Sequence, residues 1–254
     1  VSEQGRAAAL EFPEPEAVGS RRRRRRTLIG LAVTFALLLG LVAVVYFSPL
    51  LVLRNIQIEG NELVTDSRAD ELLADLYGQP VAQIGTGAVR ERLAAENAVA
   101  EVETRIELPS TLHVELVEHP PVAEVHRDGN VLLYSEHGEV IRTFAGPEQL
   151  EAEDYATPEI SSEAALEDEA VFGTIVSVLG QLPPEARAQL DSATADSIDS
   201  VQLQLADGRT VVWGSDDRSQ EKAAVLGSIL GSEEEDFLEA EVIDISTPTA
   251  PVIR

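Results

Sequence analysis

EVETRIELPSTLHVEL, residues 101–116, alternates as a β-hairpin must. Val102, Thr104, Ile106 and Leu108 take one side, and Glu101, Glu103, Arg105 and Glu107 take the other. Successive side chains on a strand point to opposite faces, so this period of two buries one face only. Pro109-Ser110 turns the chain, and Leu112, Val114 and Leu116 continue the inner face on the partner strand.

Upstream, Val52, Ile56 and Ile58 share one face of a further strand, opposite Asn55, Gln57 and Glu59, and Gly60-Asn61 turns the chain after it. Thr65 or Asp66 is placed to cap a helix whose apolar stripe is Ala69, Leu72, Leu73, Leu76 and Tyr77. Gly78 and Pro80 end it. Thr86 is placed to cap a short second helix carrying Val89 and Leu93. Residues 50–119 therefore read as β-α-α-β-β, a small sheet covered on one side by two helices.

Further upstream, Thr27–Phe47 is 21 residues without a charge, enough for a helix to cross the hydrocarbon layer. Arg21–Arg26 abut its amino-terminal end, and positive charge beside a span stays in the cytoplasm. The run exceeds the apolar core of a cleaved signal peptide, and Val44-Val45-Tyr46-Phe47 is a poor cleavage site. We expect a disordered basic cytoplasmic tail at 1–26, an uncleaved anchor at 27–47 and an extracytoplasmic remainder.

Downstream, Asp128-Gly129 and Asp207-Gly208 each lie between strand-like runs, the favoured hairpin signal. Leu166, Val171, Ile175, Val178, Leu179 and Leu182 stripe one helix, stopped by Pro183-Pro184. A second helix, with Ser215 or Asp216 as cap, carries Val225, Leu226, Ile229 and Leu230. Val242–Ile245 reads as a strand, followed by the short segment Thr247–Arg254. The fold class is α+β: one transmembrane helix, the 50–119 module, then a mixed β domain at 120–254 with two helices and an edge strand at its C-terminus.

Composition limits function. The chain of 254 residues has a formal net charge of −26. Residues 1–26 hold seven Arg against four Glu, so the acidity lies entirely in the remainder. Such a surface repels nucleic acid. With no cysteine there is no disulfide, thiol nucleophile or Cys-ligated zinc. His113, His119, His126 and His137 lack metal-ligand spacing, Ser135-Glu136-His137 lacks a nucleophile elbow, and Gly85-Thr86-Gly87 lacks a P-loop lysine. Acidic runs such as Glu233–Asp236 and Glu167-Asp168-Glu169 read as solvated faces, and Lys222, the only lysine, as half of a structural ion pair. No catalytic, cofactor-binding or metal-binding residue is expected.

The order of motifs resembles a known family. Val52-Leu-Arg-Asn-Ile-Gln-Ile-Glu-Gly-Asn61 looks like the opening of a POTRA module. A POTRA module directly after one anchor resembles the FtsQ/DivIB family of bacterial cell-division proteins. Leu108-Pro-Ser-Thr-Leu112 and Glu118-His-Pro-Pro-Val-Ala123 fill the places of that family's Trp-Pro-x-Thr-Leu and Glu-Arg-x-Pro-Val-Ala, with Leu108 for the Trp and His119 for the Arg. Val201–Gly208, Val212-Trp213-Gly214, Lys222 with Val225-Leu226, and Val242–Ser246 with Pro248 follow the family's carboxy-terminal half in order. The resemblance implies a non-catalytic single-pass scaffold at the division septum. Its partners would be FtsB/DivIC-like and FtsL-like proteins and the septal peptidoglycan synthase they regulate. It places the partner-binding edge at Thr249, Ala250, Val252, Ile253 and Arg254. The alternatives are a membrane-anchored extracytoplasmic enzyme such as a wall hydrolase, which needs a convergent His, Asp or Glu cleft, and a POTRA chaperone of outer-membrane transport, which needs several POTRA repeats or a barrel.

Overall fold

The computed structural model describes residues 18–47, 51–153, 155–232 and 240–254. Helix α1, Val18–Phe47, includes the uncharged run. Among the described residues it is the one helix long and apolar enough to cross a membrane, over Arg24–Val44 with mean hydropathy 2.5. It starts at Val18, upstream of the predicted Thr27. Arginine is a good helix former, so the basic run extends the helix rather than fraying it. Residues 1–17 of the expected tail lie outside the described residues.

The first module is β1 (Asn55–Glu59), α2 (Asp66–Leu73), α3 (Thr86–Leu93), β2 (Val99–Glu107) and β3 (Thr111–Glu118). The sheet order is β1-β3-β2, with β1 parallel and β2 antiparallel to β3. The hairpin register pairs Val102 with Leu116, Thr104 with Val114 and Ile106 with Leu112, as the alternation requires. Thr65 caps α2 by accepting from the Arg68 N–H, whereas Thr86 is the first residue of α3 and Gly85 is its cap. Ala69, Leu73 and Leu76 are buried against Leu112 and Val114. Two members of the predicted apolar faces are exposed: Tyr77, and Leu108 at the hairpin tip.

The second module is one nine-stranded sheet. It is built from β4 (Ala123–Arg127), β5 (Asn130–Tyr134), β6 (Val140–Phe144), α4 (Pro147–Ala152), β7 (Glu159–Ile160), α5 (Glu163–Glu167), α6 (Glu169–Gln181), α7 (Pro184–Arg187), β8 (Leu190–Thr194), β9 (Val201–Leu205), β10 (Thr210–Gly214), α8 (Ser219–Leu230), β11 (Val242–Asp244) and β12 (Val252–Ile253). The order is β12-β11-β10-β9-β8-β7-β4-β5-β6. Parallel neighbours need a crossover, and helices supply it: α5–α7 between β7 and β8, α8 between β10 and β11. The predicted Asp-Gly turn at 128–129 is present with positive φ at both residues.

The single long helix expected between the hairpins is split at Asp168, whose carboxylate accepts the Ala170 N–H and caps α6. Ile175, Val178 and Leu179 of α6 and Leu226 of α8 pack with Trp213, Leu203 and Ile243 into one core. The other core begins in the first module and continues across the boundary to Val131, Leu133, Phe144 and Leu150. Polar contacts cross the same boundary: the Arg142 guanidinium donates to the Glu62 carbonyl at 2.8 Å, and Asn97 Nδ2 donates to the Val140 carbonyl at 3.2 Å.

Candidate functional site

The last strand closes the sheet on one side. After β11, the Asp244 carboxylate accepts from both the N–H (3.0 Å) and the hydroxyl (2.7 Å) of Ser246 and bends the chain. Pro248 is buried, and Ala250 N–H donates to the Thr247 carbonyl at 3.0 Å to complete the reversal. The chain then returns antiparallel as β12, with Val252 opposite Asp244 and Ile253 opposite Ile243.

Of the five residues predicted for the edge, Val252 and Ile253 form the strand. Arg254 continues the pairing: its N–H donates to the Val242 carbonyl (3.0 Å), and its own carbonyl accepts from Glu241 (2.7 Å) and Val242 (3.1 Å). Thr249 and Ala250 lie in the turn, exposed.

Antiparallel pairing alternates inward and outward backbone groups. Because Arg254 bonds inward to Val242, the N–H and carbonyl of Ile253 point away from β11. Among the described residues no strand lies beyond β12. The Ile253 side chain packs against the domain core while Val252 is exposed. The edge thus offers one donor, one acceptor and an apolar flank, a template for an added strand.

Lys222 stands behind this edge, on the helix that leads to β11. It is buried, and its ammonium donates to the carbonyls of Trp213 (3.0 Å) and Ser215 (2.7 Å). Among the described residues no carboxylate lies within ion-pair distance of it, so a carbonyl cage replaces the expected ion pair. Burial holds the Lys222 pKa below the ordinary lysine value, partly offset by Asp217 and Asp216.

The histidines divide. His113 pairs with Glu107, and His126 lies 3.0 Å from Glu124. His119 and His137, far apart in the chain, come together with ring centroids 5.1 Å apart and Glu136 beside them. Sequence spacing could not reveal this, because the β4–β5 hairpin intervenes. Ser135 is buried and its hydroxyl accepts the His137 N–H at 3.3 Å, so it braces the turn. Glu233–Asp236 lies outside the described residues.

Comparison with known proteins agrees with this architecture. Residues 51–119 match the POTRA domain, FtsQ-type, and residues 123–246 match the C-terminal domain of cell division protein FtsQ/DivIB. The chain is 33% identical to the cell division protein FtsQ of Streptomyces bingchenggensis, over 92% of this chain and 89% of that one. It is 31% identical to the FtsQ of Mycolicibacterium smegmatis, over 98% of this chain and 70% of that one. The major extracytoplasmic domain of the division protein DivIB from Geobacillus stearothermophilus is similar at 15% identity, covering 44% of this chain and 87% of that chain with a TM-score of 0.31.

Proposed function

Because the chain belongs to the FtsQ/DivIB family of bacterial cell division proteins, we propose that it works at the septum as a non-catalytic scaffold. In this reading α1 anchors it in the cell membrane with residues 1–26 in the cytoplasm and 48–254 outside. The outer region joins FtsB/DivIC-like and FtsL-like partners and thereby helps to regulate the septal peptidoglycan synthase. The Arg run before the apolar span supports the orientation.

The observation that carries the reading is the outward-facing backbone of Ile253 on the last strand of the sheet. A partner strand laid along Thr249, Ala250, Val252, Ile253 and Arg254 would gain hydrogen bonds worth about 0.5–1.5 kcal/mol each. The donor and acceptor of Ile253 together amount to about 1–3 kcal/mol, or roughly 5- to 140-fold in affinity at ~1.4 kcal/mol per tenfold.

The test is binding of an FtsB/DivIC-like partner to the detergent-solubilised chain. Ile253→Pro removes the outward donor, while Ile253→Val keeps the backbone and most of the buried contact. Proline should weaken binding at least about tenfold more than valine. Equal binding by both folded variants would move the interface away from this edge.

A further inference from the structure

We propose that His119, Glu136 and His137 form a divalent transition-metal site, suited to Zn²⁺, that staples the POTRA module to the β domain. One donor atom from each residue lies within 4.8 Å of the others. Two donors ~2 Å from a tetrahedral ion sit ~3.3 Å apart, so small rotations of these side chains close the site around an ion. The imidazole rings are tilted at 52° rather than stacked, which leaves their nitrogens able to converge. Two imidazoles and a carboxylate, with water in the fourth position, suit Zn²⁺ rather than Ca²⁺ or Mg²⁺, which take oxygen ligands.

The backbone holds both halves of the site. His119 directly follows β3, and its N–H donates to the Ala98 carbonyl at 2.8 Å. Glu136 and His137 occupy the β5–β6 turn. That turn is tied by Ser135 N–H to Glu139 carbonyl (2.9 Å), Gly138 N–H to Ser135 carbonyl (3.0 Å) and the buried Ser135 hydroxyl. Helix α6 packs against it so closely that a Cβ on Gly180 would lie 3.0 Å from the Glu136 Cβ.

Arg187 is buried, its Nη1 has no hydrogen-bond partner among the described residues, and the Glu136 carboxylate acts on it through space, beyond ion-pair distance. The three ligands come from the two modules, one from the POTRA end and two from the β domain. An ion held here therefore links them at the point where the chain passes from one to the other.

The test is Zn²⁺ titration of the full chain in detergent micelles, stripped of metal, against a chromophoric chelator. Excess Ca²⁺ is included to occupy the many exposed carboxylates. One Zn²⁺ per chain is expected, with a rise in melting temperature. Loss of even a secondary partner of a metal ligand commonly costs 10–100-fold, so His119→Ala/His137→Ala should weaken binding more than about 100-fold and abolish the shift. His113→Ala/His126→Ala should keep both. Should the first double variant melt differently without metal, Glu136→Gln takes its place, with binding expected to be weaker by about tenfold or more. No stoichiometric Zn²⁺ uptake by the parent, or affinity in these variants equal to that of the parent, overturns the proposal.

Discussion

The Lys222 ammonium donates to the Trp213 carbonyl while standing 5.9 Å from the centre of the same residue's indole ring. The lysine therefore touches both the backbone and the side chain of β10, the strand against which β11 pairs. Lys222→Met keeps the stem but leaves the Trp213 and Ser215 carbonyls without their donor. We expect a loss of about 1–3 kcal/mol at neutral pH, read from a denaturant midpoint. The pH dependence has a definite sign. With the folded-state pKa below the ordinary value, the unfolded chain binds more protons between the two. Stability contributed by Lys222 thus rises with pH across that window, and the gap between parent and Lys222→Met should widen from neutral pH toward the ordinary lysine pKa. A gap that narrows would contradict the burial of the charge.

Gly60 turns the chain after β1 at φ +78°, and a Cβ there would lie 2.2 Å from the Leu116 carbonyl oxygen. Gly78 has a similar φ of +81° but open space around it. Gly78→Ala should cost about 1–2 kcal/mol for the left-handed backbone alone. Gly60→Ala adds a backbone clash and should cost about 3–5 kcal/mol. Equal melting of the two variants would show that the contact with β3 is not limiting.

Glu118, at the end of β3, accepts the N–H groups of Glu62 (2.9 Å), Leu63 (2.6 Å) and Val64 (2.8 Å), the loop that leads into α2. Hydrogen bonds to a charged acceptor contribute about 1.5–3 kcal/mol. Glu118→Ala should cost about 2–4 kcal/mol, and Glu118→Gln less, because one oxygen acceptor remains. Thermal melting of the two variants against the parent checks the order.

Elements set by local period are legible in the sequence. The 101–116 hairpin follows from alternation with the register the structure has, whereas the helix expected to run from Thr65 to Gly78 ends at Leu73 and finishes as a 3-10 turn over Ala74–Leu76. β8 has no such signal, because Leu190-Asp-Ser-Ala-Thr194 carries no alternation; it is a strand because β7 and β9 bind it on both sides. The break at Asp168 is hidden inside a continuous apolar stripe.

The depth of each face is also beyond local reading. Ile56, expected in the core, is half-buried, while its parallel partner Leu112 is fully buried. The C-terminal edge is legible from position, but which backbone groups face outward depends on the pairing of Arg254 with Val242. The His119–His137 approach and the carbonyl cage of Lys222 belong to tertiary structure alone, and no spacing rule encodes them.

The two rims of the nine-stranded sheet are unequal. At β6, the Val140 carbonyl accepts from the Asn97 amide and Phe144 joins the POTRA core, whereas among the described residues no strand pairs with the outer side of β12. A sheet covered at one rim and open at the other has a direction: a strand added to it would lie beyond β12, and head-to-tail stacking of copies, which needs both rims, would meet the POTRA module at β6.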